Sequence, residues 1–389
     1  MEFIGTLCLI LFLTLFVGHF SQRMGVPGVI GQLLVGVVLG PAILNWIHLN
    51  TLVQTFADLG VIILMFIAGL ESNIALLKKY LRPALVVAVI GVIFPVVIMG
   101  GAGLLFHFSR LECFFIGFVF SATSVSISVE VLKEFRVLNT KEGATILGAA
   151  VADDIIGVIL LSIMVSMMGD SAGNENLGLV IFKQLLYFVG VYLVIKWIAP
   201  YLMRTADKLF MTSSRTIMSM IICLGMAWLA EMVGLSGAVG AFFAGIAVAM
   251  TPAHDEIDQS IEPIGYAVFI PMFFVSVGLN MDFSHLFQSL GFVVLMTILG
   301  IATKLVGCGI GGKLSGFNLA SNYVIGAGMI SRGEMALITA QIGFSAHLID
   351  PTHYSDVILV IILVTMIAPF ILKNAISHQR KVQAEVQTK

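Results

Sequence analysis

The 389-residue sequence predicts an all-α polytopic membrane protein, and three observations carry that prediction. Apolar residues make up 59% of the chain and charged residues only 11%, with a mean hydropathy of +1.06, whereas a soluble domain carries about a quarter charged residues. The apolar residues gather into runs of membrane-crossing length bounded by Pro, Gly or charged turns. The loop cations are shared unequally between alternate loops. A formal net charge of −2 selects no partner. Cys8, Cys113, Cys223 and Cys308 fall singly inside apolar runs, which argues against a disulfide framework or a thiolate metal site. No metal-ligand cluster, phosphate-cradling loop or nucleophile motif stands out. The chain is therefore not expected to be an enzyme, to carry a cofactor or to bind nucleic acid.

Taken in order, thirteen spans are predicted. Residues 3–20 follow the N-terminus directly, contain His19 and lack a basic leader and a small-residue cleavage site, so the first span reads as retained. Residues 27–44 open at Pro27; 53–70 end at Glu71, with Asp58 near their start, and both acids read as interfacial and solvated; 83–106 contain Pro95. Residues 112–130 are rich in Ser and Thr, 143–168 carry Asp153 and Asp154 near their middle, and 179–203 have Lys183 and Lys196 near their ends, where they can snorkel. Residues 216–233, 236–250 and 262–279 follow, the last preceded by an acidic loop of Asp255, Glu256, Asp258 and Glu262 that reads as a solvated turn or a cation funnel. Residues 288–310 carry Lys304, 320–345 carry Arg332 and Glu334, and 354–376 complete the set. His254, His285 and His347 fall in loops, and nothing in their spacing demands a pH-sensing role. With the N-terminus outside, fifteen loop and tail cations from Arg23 to Lys389 lie inside and Arg110 alone lies outside. The positive-inside rule thus predicts an outside N-terminus and a cytoplasmic C-terminus.

An internal duplication is legible. Shifting the chain by 209 residues places Gly25, Gly28, Gly31, Gly36 and Gly69 on Gly234, Gly237, Gly240, Gly245 and Gly278. Spans two to six therefore read as a copy of spans nine to thirteen. Span two enters from inside and span nine from outside, which makes the copies inverted five-helix repeats, the arrangement of alternating-access carriers. The same shift sets Thr123 on Arg332, Ser124 on Gly333, Gly117 on Gly326 and Pro95 on Lys304. The hydroxyls of Ser121–Ser128 can serve freed backbone groups, and the glycines and charges of Gly326–Glu334 weaken a helix. Both segments read as interrupted helices that cross at mid-membrane, with Arg332 and Glu334 able to neutralise exposed helix ends; ordinary helices with a Ser/Thr interface are the competing reading.

A charged side chain at the centre of a membrane helix costs roughly 2.5–3.5 kcal/mol on insertion scales, so Asp153 and Asp154 need a compensating role. Adjacent carboxylates offer hard oxygen ligands and an exchangeable proton in one place, the chemistry of a cation and proton site; a polar cluster that only specifies packing is the alternative. Lys304 lies about nine residues from Lys313, and Asp153 about eleven from the inner end of its span. At about 1.5 Å per residue the two depths agree within a few ångströms. Lys304 is thus the natural partner of one aspartate, held charged by it, in a pair that is either switchable or purely structural.

Ala152-Asp153-Asp154, Ser121-Ala-Thr-Ser-Val-Ser, Lys304, Arg332-Gly-Glu334 and Pro27-Gly-Val-Ile-Gly-Gln-Leu-Leu-Val-Gly together resemble the NapA-type sodium/proton antiporters of the cation:proton antiporter superfamily, over essentially the whole chain. Kef-type potassium/proton systems share the glycine-rich second span. They commonly have glutamine at the first paired position and a large cytosolic nucleotide-binding domain; here position 153 is Asp, and about a dozen residues follow the last span. The resemblance implies a plasma-membrane homodimer active in pH homeostasis. Residues 1–82 and 216–287 would form its dimerisation domain, 83–178 and 288–389 its mobile ion-transport core, and 179–215 a linker helix. It further implies that Asp154 is the principal ligand for Na+ or Li+, that Asp153 pairs with Lys304, and that Thr123 and Ser124 help to coordinate the ion. The expected activity is export of Na+ against H+, electrogenic if Lys304 carries one of the protons. A Kef-type K+/H+ antiporter, an organic-anion symporter with broken helices and a channel are the alternatives.

Overall fold

The computed structural model describes residues 2–23, 28–106, 108–167, 177–280, 289–333, 336–337, 339–340 and 351–387. Gly25, Pro27, His285, Glu334, His347 and Lys389 lie outside the described residues. The helices are α1 (Glu2–Arg23), α2 (Gly28–Leu39), α3 (Thr51–Glu71), α4 (Ile74–Lys79), α5 (Leu81–Gly103), α6 (Arg110–Val119), α7 (Val125–Glu134), α8 (Lys141–Met167) and α9 (Leu177–Leu193). They continue as α10 (Ala199–Ala206), α11 (Ser214–Met232), α12 (Gly237–Ala249), α13 (His254–Ile264), α14 (Ile270–Leu279), α15 (Leu290–Leu314), α16 (Leu319–Gly328) and α17 (Pro351–Gln387). Among the described residues eight helical runs are long and apolar enough to cross a membrane, and α2 and α12 are shorter apolar helices.

Two stretches differ from the sequence expectation. The acidic segment read as a loop is helix α13, joined to α14 through a π-helical turn at Gly265–Phe269. Asp255 and Glu256 sit in its first turn, where carboxylates offset the partial positive charge of the free N–H groups. His254 opens that helix; its Nε2 lies 3.0 Å from the Leu70 carbonyl. The last helix also continues to Gln387, well past residue 376, because the tail from Gln379 is built of good helix formers.

The chain divides into two compact units. The first comprises Met1–Leu11, Asn50–Ile74 and Val158–Phe273. Within it α3 packs on α12, and α11 on α12. The α3–α12 contact is backbone to backbone: a Cβ on Gly69 would run into the Phe242 carbonyl, and one on Gly245 into the Phe66 carbonyl. Arg215 bridges Asp207 (2.5 Å) and Glu256 (2.6 Å) at the surface. Glu71, read from the sequence as solvated, lies with Asp258 and Glu262 in a group whose carboxylate oxygens are all within 4.8 Å of one another.

The second unit comprises Phe12–Leu49, Ala75–Gly157 and Phe274–Lys389. Here α5 packs along α15 and against α6, and α15, α16 and α17 pack on one another. Gly36 meets the Val275 carbonyl and Gly278 the Leu33 carbonyl, again leaving no room for a Cβ. Gly117 of α6 lies on the Val96 carbonyl and Gly326 of α16 on the Leu305 carbonyl. This unit holds the candidate site.

Candidate functional site

Two interruptions build the site. Ser109 caps α6 in a reciprocal capping box with Glu112, and α6 stops at Val119. Phe120–Ser124 then leave the helical path, and α7 resumes at Val125 after an extended Ser124 (φ −90°, ψ 111°). Asn318 caps α16, which ends at Gly328, and residues 330–333 are non-helical. Hydrogen bonds stitch the two breaks together. The Ser124 N–H donates to the Ser331 carbonyl (2.9 Å), Ser331 Oγ donates to the Ser124 carbonyl (2.7 Å), and Ser128 Oγ donates to the Gly328 carbonyl (2.5 Å). Backbone groups freed by each break are thus satisfied by the other, the condition under which non-helical backbone survives at membrane depth. Gly333 lies against the Ser124 side chain with no space for a Cβ.

Arg332 fills the crossing. It is fully buried, and its Nη1 and Nη2 donate to the carbonyls of Ala122 (3.1 Å) and Gly300 (2.9 Å). Its own carbonyl accepts from Thr365 Oγ1 (2.5 Å), which shares its hydrogen with Ile361 (2.7 Å). The guanidinium therefore serves one backbone oxygen freed by the first break, that of Ala122, and one on the unbroken helix α15, that of Gly300, a task that its planar fork suits. Glu334 lies outside the described residues.

Lys304 stands one helical turn beyond Gly300 on α15. It is completely buried, and its Nζ lies 2.9 Å from Asp153 Oδ2. Thr123 Oγ1 donates to the same oxygen at 2.5 Å. Asp153 is buried, and its Oδ1 has no hydrogen-bond partner among the described residues; nor has the buried Ser124 Oγ. Asp154, the next residue on α8, is partly exposed. Asp153, Thr123 and Lys304 are thus in direct contact, with Ser124 and Arg332 in the adjoining backbone crossing. Unpaired, either buried charge would be strongly disfavoured; at 2.9 Å the ion pair supports both, and any cation drawn to the carboxylates competes with the ammonium.

A second buried cluster has no counterpart in the sequence reading. Glu142, near the start of α8, is 3% exposed and accepts from Ser321 Oγ of α16 (2.5 Å) and Gln379 Nε2 of α17 (2.6 Å). Its neighbour Lys141 approaches the same oxygen at 3.7 Å. The cluster ties three helices of the second unit.

The chain belongs to the sodium/hydrogen exchanger family: residues 8–376 match the family described as "Sodium/hydrogen exchanger, transmembrane". It is 53% identical over 374 residues to a Na(+)/H(+) antiporter of Enterococcus hirae, covering 96% of this chain and 98% of the relative. It is 41% identical over 382 residues to the Na(+)/H(+)-K(+) antiporter GerN of Bacillus cereus, covering 98% of each. Among solved structures, the sodium proton antiporter MjNhaP1 from Methanocaldococcus jannaschii superposes with a TM-score of 0.64 over 95% of each chain, at 16% identity, a likeness of fold. The chain is accordingly a multi-pass membrane protein of the cation:proton antiporter superfamily.

Proposed function

We propose that this protein exchanges cytoplasmic Na+ for external H+, with Asp154 and Asp153 as the ion-binding carboxylates and Lys304 as their switchable counter-charge. The observation that carries the reading is the buried Lys304–Asp153 pair, beside which Asp153 Oδ1 and Ser124 Oγ have no protein partner among the described residues. Hard oxygens lacking a donor suit an alkali cation, and a carboxylate cannot hold a proton and a cation equally well, so competition for one site couples the two flows. Na+ entering beside Asp154 and Thr123 loosens Lys304 from Asp153; protons arriving from outside restore the pair. Li+ fits the same oxygens. No cofactor enters the cycle.

The wider reading has thirteen crossings, an outside N-terminus, a cytoplasmic C-terminus and residence in the plasma membrane. Duplication is supported by matching contacts, and its inversion rests on the span count: Gly36 on the Val275 carbonyl corresponds, under the 209-residue shift, to Gly245 on that of Phe66. Gly278 on Leu33 likewise corresponds to Gly69 on Phe242, and Gly117 on Val96 to Gly326 on Leu305. Functionally, residues 1–82 and 216–287 form the dimer contact and 83–178 with 288–389 the moving core, joined by 179–215. This is a division by motion, whereas the compact units above are divisions by contact.

The test is fluorescence dequenching of a pH-sensitive dye in everted vesicles after addition of NaCl, LiCl or KCl. A response to Na+ that disappears in Asp154→Asn is expected. Silence with all three salts would overturn exchange, and a response to K+ alone would move the reading to potassium/proton exchange. Lys304→Gln in proteoliposomes separates the two roles of the lysine. Exchange that persists without charge movement makes it a proton carrier; undiminished current makes it structural.

A further inference from the structure

Glu142, Ile146, Ala149 and Asp153 follow one another along one face of α8, about three turns from first to last, and all four are buried. That face is set against α16 at two points. At the first, the fully buried Ser321 Oγ donates to Glu142 Oε1 (2.5 Å). At the second, Ile146 lies on Gly328 and fills the space that a Cβ would need. Gly328 is the last residue of α16 before the second break, and its carbonyl accepts from Ser128 of α7. From α17, Gln379 Nε2 donates to the same Glu142 oxygen (2.6 Å) and reaches Ser321 Oγ at 3.4 Å. Lys141 approaches that oxygen from the surface at 3.7 Å. A buried carboxylate held by donors from two other helices resists sliding, because any other register strands it among apolar neighbours.

We propose that Glu142 is a positioning residue for the ion site: through Ser321 and Gln379 it fixes the register of α8 against α16. Asp153 and Asp154 ride on α8, whereas Thr123 and Ser124 belong to a break that is hydrogen-bonded to the one following α16. The register of α8 on α16 therefore sets the gap between the carboxylates and the hydroxyls, and with it the size of the cation that fits. The inference rests on the exchange reading above and adds what tunes it. A misplacement of about 1 Å far from the reacting groups can cost on the order of 100-fold. Na+ and Li+ differ in radius, so a slipped register alters their relative affinities as well as weakening both.

Everted vesicles holding the full-length protein are titrated with NaCl and LiCl, dye dequenching giving KM and maximal rate for each ion, and the melting temperature is read in detergent. Glu142→Ala is expected to raise the KM for Na+ about tenfold and to shift the ratio of the Na+ and Li+ KM values about threefold, with the maximal rate within about twofold of the unaltered chain. Ser321→Ala, which removes one donor, should act in the same direction and less. Glu142→Gln should restore most of the affinity, because an amide oxygen accepts the same two hydrogen bonds. Tyr323→Phe breaks the Tyr323–Asn374 hydrogen bond (3.2 Å), which joins α16 to α17 without α8, and should leave both KM values unchanged. A lower melting temperature with unchanged KM values in Glu142→Ala and Ser321→Ala would make the cluster a structural tie only and overturn the assignment. A Gln variant as impaired as the Ala variant would trace the effect to charge and overturn it too. Should Glu142→Ala fail to fold, Ser321→Ala and Glu142→Gln decide. An unaltered chain silent towards both salts overturns the exchange reading and this inference with it, whereas an active chain whose variants keep its KM values overturns this inference alone.

Discussion

The two interrupted helices occupy corresponding positions in the sequence and solve the same problem with different chemistry. At the first break every polar side chain is neutral: Ser121 donates to the Phe118 carbonyl (2.7 Å), and Thr123 donates to Asp153. At the second, Arg332 places a permanent charge where the shift sets Thr123, and directs it at the carbonyls of Ala122 and Gly300. The difference separates two duties. The Arg332 guanidinium holds the crossing together, while on the Asp153 side the contact from the break comes from a hydroxyl. A buried cation bound to backbone oxygens is a poor ion carrier, and a threonine is a poor substitute for a fixed charge.

Exchanging or removing these parts should break that division in a definite order. The largest effect is expected from Asp153→Asn combined with Asp154→Asn, which should lower Na+-dependent proton flux at least ~1,000-fold, about 4 kcal/mol; the crossing should survive, with a lower melting temperature because Lys304 is left buried without its carboxylate. Arg332→Ala should act first on the fold. It leaves the Ala122 carbonyl without its guanidinium donor, removes the tie to Gly300 and should cost about 2–4 kcal/mol of stability in detergent unfolding, and Arg332→Lys should rescue it poorly because one ammonium cannot span both acceptors. Thr123→Val should leave the fold intact but alter apparent Na+ affinity about tenfold, since a hydrogen bond to a charged group contributes roughly 1.5–3 kcal/mol. Unchanged affinity there would mean that the first break has no part in the ion site. Gly333→Ala is the mildest. Pressed against Ser124, it should destabilise by about 1–3 kcal/mol, and Ser124→Gly should relieve most of that in a double-mutant cycle.

Much of this centre could be read from the sequence because its signals are local or periodic. Hydropathy located the helices, the glycine register aligned the two halves, and counting residues from Lys313 put Lys304 level with Asp153, where the structure sets them in contact. The Glu142 cluster escaped because its partners are 179 and 237 residues away and neither is unusual in its own segment. Beside Lys141, Glu142 reads as one more charge at a helix start. Helix α13 escaped for the opposite reason. Apolar windows mark only its downstream half, and its acidic first turn is a helix-start signal that also suits a solvated turn. Ala122 could not be foreseen as an acceptor, because a carbonyl's availability depends on where the chain breaks and not on residue type, and Gly300 could not because it accepts from Arg332 within an intact helix.

The glycine contacts have a consequence of their own. Where α3 meets α12, and where Gly36 and Gly278 meet the carbonyls of Val275 and Leu33, the closest surfaces are main chain, with no ionisable atom between them. Such seams are indifferent to acidity and to ionic strength. They are hard points of the molecule, and any rearrangement that follows a change of cargo must be taken up by softer joints elsewhere.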